Sequence, residues 1–241
     1  AEELCNILLN CTTEPLDAVT PTVVERLTDT GGMQNEEFLF HHFIKQEFSF
    51  VIPLLKEWIE NGLNRRKQLY LYKGEAWQSF NQRYAPSIID ELLPAALNAS
   101  IIETESPYRT PWSSRNINSS EHEIVQMMQA SLNQIAEDDP DKLIRVITQW
   151  NFSASPIRAE LFLHAVEDMP VKYADYALNW VLEDIGRNAF DQTSSEKNQL
   201  SCCRRILEKF SPGCSNATFS HLEQKICRWN PPKERMRRIY Q

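Results

Sequence analysis

The residues best suited to chemistry lie in small, separated groups. His122-Glu123-Ile124-Val125-Gln126 is one position short of a zincin helix, because Gln126 stands where the second imidazole would be. Glutamine is not a usual zinc ligand, and Glu123 is better explained as the far end of a capping box that opens at Ser120. Glu160, His164 and Asp168 fall at i, i+4 and i+8, so a helix would carry three potential ligands on one strip. That strip borders an apolar face and reads as its solvated edge. His41 and His42 point about 100° apart on a helix and do not readily share an ion. Gly31, Gly32, Gly62, Gly74, Gly186 and Gly213 match neither the phosphate-loop spacing nor the dinucleotide fingerprint, and there is no G-x-S-x-G elbow. No catalytic, cofactor-binding or metal-ligating residue is assigned, and neither an enzyme activity nor a cofactor is expected of this chain.

Two basic clusters stand out. Arg65, Arg66 and Lys67 are followed by Tyr70, Tyr72, Lys73, Trp77, Phe80, Arg83 and Tyr84. Cations interleaved with aromatics can grip an acidic partner or stack bases. The same pattern also describes an ordinary helix with a buried aromatic face and a wet cationic one. Arg65, Arg66, Lys67, Tyr70, Lys73 and Trp77 are the candidate partner-binding residues. The second cluster, Lys233, Arg235, Arg237 and Arg238 after Pro231-Pro232, reads as the start of a further helix. The net charge of −8 argues against a general nucleic-acid binder, which draws its affinity from neutralising phosphates. The expected partner is a protein.

Composition bounds the scaffold that positions these groups. At 241 residues the chain exceeds the ~100–150 residues of a usual domain and can bury one large helical core or two smaller ones. Its six Gly are few, which favours helix. No apolar run approaches the ~20 residues needed to span a bilayer, so no membrane role is expected. Ala1-Glu2-Glu3 has neither the basic start nor the apolar core of a signal peptide, and the chain reads as a piece of a longer cytoplasmic protein. Cys5, Cys11, Cys202, Cys203, Cys214 and Cys227 include no CxxC pair and read as reduced, buried thiols. Sequons at Asn10, Asn98, Asn118, Asn151 and Asn216 point the other way, toward secretion.

Hydrophobic periodicity predicts helix after helix. In the second half, Ile124, Met128, Leu132 and Ile135 follow the capping box, and Asp139-Pro140 starts a helix faced by Leu143, Val146, Ile147 and Trp150. Ser155-Pro156 starts a third, and Pro170 opens a fourth that is apolar nearly all round. Leu200, Cys203, Ile206, Leu207 and Phe210 form a fifth face, closed by Pro212-Gly213. Ser215 or Asn216 then caps Phe219, Leu222, Ile226 and Trp229. Trp150, Tyr176, Trp180, Phe210 and Trp229 are expected in the inter-helix core. In the first half, helices are expected near Glu2–Asn10, Pro21–Thr28, Asn35–Glu47, Ser49–Asn61, Arg65–Arg83 and Pro86–Asn98. The Pro- and Ser-rich stretch 106–119 is the expected boundary between an N-terminal helical part, 1–105, and a C-terminal helical-repeat part, 120–241. The fold class is all-α, with stacked antiparallel helix pairs in a degenerate solenoid of the HEAT or TPR kind. An irregular globular bundle is the alternative.

One stretch carries a resemblance. Tyr173-Ala174-Asp175, Leu178-Asn179-Trp180-Val181-Leu182-Glu183-Asp184, Ile206-Leu207-Glu208-Lys209-Phe210-Ser211-Pro212-Gly213-Cys214-Ser215, Phe219, Leu222-Glu223, Ile226 and Pro231-Pro232-Lys233-Glu234-Arg235 lie between Met169 and Tyr240. Together they resemble part of the long helical-repeat region of large bacterial antiviral STAND ATPases of the Avs type. Gly213 departs from the His expected there. The resemblance implies a segment of a sensor array that recognises a phage structural or packaging protein. Recognition would let the parent ATPase oligomerise and activate an effector. No catalytic residue carries over, because the family's phosphate-binding loop and effector domain have no counterpart here. A scaffold or adaptor segment of an unrelated large protein, or a secreted helical domain, are the alternative readings.

Overall fold

The computed structural model describes residues 42–60, 75–98, 120–150, 156–182 and 197–228. Among them the chain is helical with no strand, so the all-α expectation holds. Two compact units form, one from 1–103 with 114–131 and one from 104–113 with 132–241. The last of the three crossings between them, from Ser131 to Leu132, falls inside a helix. The boundary expected at 106–119 lies outside the described residues.

In the first unit a helix ends at Glu47 in a Schellman motif. The Glu47 amide donates to Ile44 O at 2.9 Å and the Phe48 amide to Phe43 O at 3.1 Å. The residue after such a helix end adopts the left-handed conformation, and glycine is usual there. Here it is Glu47, with φ 55°. Phe43 and Phe48 make the apolar contact that accompanies the motif, with ring centroids 6.1 Å apart. Helix α1 (Val51–Glu60) follows, burying Val51, Ile52, Leu54, Leu55 and Ile59 on one face. Pro53 sits in its first turn, where a missing amide leaves no hydrogen bond unmade.

Helix α2 (Glu75–Ser87) runs through a π-helical turn, Ile88–Leu92, into α3 (Leu93–Asn98). This corrects the expectation of a separate helix starting at Pro86, which lies inside α2. The π turn sits between Pro86 and Pro94, and neither can donate to the i→i−4 ladder, so the hydrogen-bond register changes there rather than ending. Ile88, Ile89, Leu92, Leu93, Ala95, Ala96 and Leu97 are all buried, which holds the distorted stretch in place. Helix α1 packs on this turn and on α3.

Helix α4 spans Ser120–Asp138. In the second unit Asp139 caps α5 (Pro140–Gln149), its carboxylate accepting the Lys142 amide at 2.9 Å, with Pro140 at the first position. Leu143, Val146 and Ile147 are buried, as the spacing predicts. Helix α6 (Pro156–Asp168) buries Leu161, Phe162, Leu163, Ala165 and Val166. Pro170 is extended and starts a short 3-10 turn, Val171–Tyr173, before α7 (Ala174–Trp180). Helix α8 (Lys197–Phe210) packs against both α6 and α7. It ends in a 3-10 turn, Ser211–Gly213, and α9 (Asn216–Arg228) follows with Ser215 Oγ accepting the Thr218 amide at 3.3 Å.

The aromatic expectations need correction. Phe210 is fully buried, but Trp150, Tyr176 and Trp180 are only half-buried, and Trp229 lies outside the described residues. Trp150 terminates α5 in an extended conformation. Tyr176 is covered enough for burial to push its phenol up to about 12. Phe219 is 42% exposed and Val171 47%, so neither the opening of the fourth apolar stretch nor the start of α9 is enclosed.

Candidate functional site

The densest grouping of reactive side chains lies where α6 ends beside α8. His164 and Glu167 are three residues apart and so share one face of α6. Cys202, Arg205 and Lys209, spaced three and four apart, form the matching strip of α8. Arg205 grips the Glu167 carboxylate with two donors, Nε to Oε1 at 2.5 Å and Nη2 to Oε2 at 2.8 Å. The Cys202 thiol donates to Glu167 Oε2 at 3.1 Å, and its sulfur lies 3.9 Å from His164 Nδ1. Lys209 Nζ donates to the Glu167 backbone carbonyl at 2.5 Å. That carbonyl belongs to the last turn of α6, which has no helical donor, and a cation there also suits the helix dipole.

The electrostatics follow from this packing. Burial lowers the basicity of the His164 imidazole, with Glu167 acting against it and Arg205 with it. For Glu167, burial works to raise the carboxyl. The hydrogen bonds from Arg205 and Cys202 and the charges of Arg205 and His164 outweigh it and hold the group below its ordinary value. Asp168 goes the other way, raised by burial and by the neighbouring Glu167 charge. Burial, with Glu167 accepting its proton, pushes the Cys202 thiol far up, and burial lifts Cys203 to about 12.

A Cys, a His and a Glu in contact suggest a nucleophile, its base and an orienting carboxylate. The order here is wrong for that. The carboxylate meets the thiol rather than the imidazole, the sulfur is 0% exposed, and the thiol is held protonated, whereas catalysis needs an accessible thiolate. His164, Glu167 and Cys202 do form a set whose ligand atoms could hold a metal ion. The i, i+4, i+8 strip therefore contained one member of the grouping, His164. Asp168 is not part of that set, and the Glu160 side chain lies outside the described residues. Glu167 and Cys202 were missed, the first for its i+3 spacing and the second because it lies 38 residues away on another helix. Both described cysteines of α8 are buried and free, while Cys227 is exposed, correcting its assignment as a buried thiol.

Of the candidate partner-binding residues, Arg65, Arg66, Lys67, Tyr70 and Lys73 lie outside the described residues. Trp77 is 9% exposed and stacks on Phe80, with ring centroids 6.0 Å apart and planes at 11°. Phe80 is fully buried and contacts the Tyr84 ring, so this end of the aromatic series is taken up in the first unit's core. Arg83 is held by Glu47 Oε2 at 2.5 Å. Among the described residues, no helix is long and apolar enough to cross a membrane. Compared with known family models, curated proteins and solved structures, the chain matches none.

Proposed function

We propose that this chain is a protein-interaction segment of the phage-protein sensor region of a bacterial antiviral STAND ATPase. In this reading its helix pairs belong to a cytoplasmic solenoid of the HEAT or TPR kind and it has no catalytic role of its own. One observation carries the reading. The two separated halves of the resembling stretch meet in space, the Asp175 carboxylate accepting the Ser215 amide at 2.8 Å. Gly213 sits against Val171, where a Cβ would lie 2.7 Å from Val171 Cγ1. The described residues of the motif thus belong to one structural unit. A His at position 213 would need Val171 to swing aside, and its exposure leaves room for that. Ala174, Leu178, Ile206 and Phe210, also in the stretch, are buried in the same unit.

The ligand in this reading is a phage structural or packaging protein, bound through an acidic patch to the cationic segment around Arg65, Arg66, Lys67, Tyr70 and Lys73. Clustered arginines and aromatics are enriched among residues that dominate binding energy. An acidic protein suits this segment better than nucleic acid, because the acidic remainder of the chain repels phosphate at long range. The test uses the full-length parent, with its ATPase activity measured against co-expressed phage structural and packaging proteins. Activation by one of them, lost in the Arg65→Glu, Arg66→Glu variant with unfolding behaviour unchanged, is the expected result. A parent with no ATPase module, or one that no such protein activates, removes the proposal.

A further inference from the structure

Helices α6 and α8 bring an imidazole, a carboxylate and a thiol to one point. Cys202 Sγ lies 3.1 Å from Glu167 Oε2 and 3.9 Å from His164 Nδ1, and the three ligand atoms are within 4.8 Å of one another. A tetrahedral ion with bonds of about 2.0–2.3 Å to N, O and S holds its ligand atoms roughly 3.3–3.7 Å apart. The two spacings from the sulfur, 3.1 and 3.9 Å, fall within a few tenths of an ångström of that range, and the 4.8 Å that bounds the set leaves the imidazole and carboxylate up to about an ångström to close as an ion enters. A carboxylate and an imidazole three residues apart on one helix, facing a ligand from a neighbouring helix, is a spacing that helical proteins use for metal sites, here with the His before the Glu.

We propose that His164 Nδ1, Glu167 Oε2 and Cys202 Sγ bind a zinc-class divalent ion, with a fourth position for water. Thiolate and imidazole together favour zinc over magnesium or calcium, which take oxygen ligands. Binding replaces the thiol proton: the S–H bond breaks, sulfur keeps the electron pair and bonds to the metal, and the proton leaves to solvent. Glu167 Oε2 exchanges the thiol donor for the cation. Arg205 stays on the carboxylate, Nε on Oε1 and Nη2 on the second lone pair of Oε2, and fixes its orientation, the task that outer partners perform in metal sites. A thiol hydrogen-bonded to a carboxylate has no need of an imidazole beside its sulfur; a metal ligand set does. The ion would join α6 to α8 at a seam already lined by charged groups.

The experiment is a titration of the reduced, metal-free full chain with cobalt(II). The expected result is one equivalent bound, with a sulfur-to-cobalt charge-transfer band in the near ultraviolet and the intense visible bands of four-coordinate cobalt, both removed by zinc. Cys202→Ala abolishes the charge-transfer band, while Cys203→Ala, at the buried neighbour outside the set, keeps it. His164→Ala, at a half-buried position, tests the site even if Cys202→Ala fails to fold, and it should weaken cobalt binding at least about tenfold, the lower end of what loss of a supporting group does. No charge-transfer band in the unaltered protein, a band that survives Cys202→Ala, or cobalt affinity unchanged by His164→Ala would each overturn the proposal.

Discussion

Two glutamates hold helix ends in this protein by the same three-part arrangement, one in each unit. Glu47, just beyond its helix, receives Ser79 Oγ and Arg83 Nη1 on its carboxylate and the Tyr84 hydroxyl on its backbone carbonyl at 2.8 Å. Glu167, in the last turn of α6, receives Cys202 and Arg205 on its carboxylate and Lys209 on its carbonyl. Each carboxylate is mostly covered, with side-chain exposures of 25% and 20%. The difference lies in what surrounds them. Around Glu47 the donors are a hydroxyl, a guanidinium and a phenol, and the backbone is strained at φ 55°. Around Glu167 a thiol replaces the hydroxyl and an imidazole stands beside it. The first set can only fasten a turn. The second has the donor types that also ligate a zinc-class ion, so a similar clamp differs in the chemistry its side chains could support.

The largest effects should come from the aromatics beside each clamp. Phe43 and Phe210 are both 0% exposed, and replacing either by Ala should cost about 3–5 kcal/mol in urea unfolding. A loss below about 1 kcal/mol at one of them would mean that the glutamate, not the aromatic, holds that helix end. Next come the glutamates. Glu167→Ala should cost about 1–2 kcal/mol, because it removes the carboxylate that Arg205 grips and the oxygen that accepts the buried thiol. Glu47→Ala should cost about 1 kcal/mol, but Glu47→Gly should be nearly neutral, since glycine relieves the roughly 1 kcal/mol penalty of the left-handed conformation. Equal losses in the Gly and Ala variants would show that the strain is not felt.

Acid should act on the two clamps alike. Glu47 is lowered from its ordinary value of 4.5 chiefly by the Ser79 and Arg83 hydrogen bonds, and Glu167 is lowered as described above. A depressed carboxyl contributes stability that is present above the ordinary value and lost as pH falls through the folded one. Glu47→Gln and Glu167→Gln should therefore each flatten the acid limb of a stability–pH curve below pH 4.5. The smallest effect is that of Asp168, raised from 3.8 by burial and Glu167. Its folded form holds its proton more tightly, so stability falls as pH rises through that window, and Asp168→Asn should stabilise slightly at neutral pH. A destabilising Asp168→Asn would contradict the sign.

The sequence reads well where local chemistry decides. Asp139-Pro140 announces the start of α5, Pro212-Gly213 the end of α8, and Ser215 the start of α9, because caps and turns act through their immediate neighbours. It reads poorly where tertiary packing decides. Pro86 looks like a helix start, yet the enclosing apolar residues carry the helix past it through a π turn. Trp150, Tyr176 and Trp180 look like core, but residues of that size are rarely enclosed completely. Of the three residues of the candidate metal set, the sequence singles out one. His164 is conspicuous on its helix, whereas nothing in the run Ser201-Cys202-Cys203 tells which thiol faces α6.

The proposed contact with a phage protein can be measured by hydrogen exchange on the purified full chain. Exchange would be compared with and without whichever phage structural or packaging protein activates the parent ATPase. The expected result is slowed exchange concentrated in the amides of 65–84, with the α6–α8 seam unchanged. Exchange unaltered along the whole chain, at concentrations that activate the parent, would contradict it.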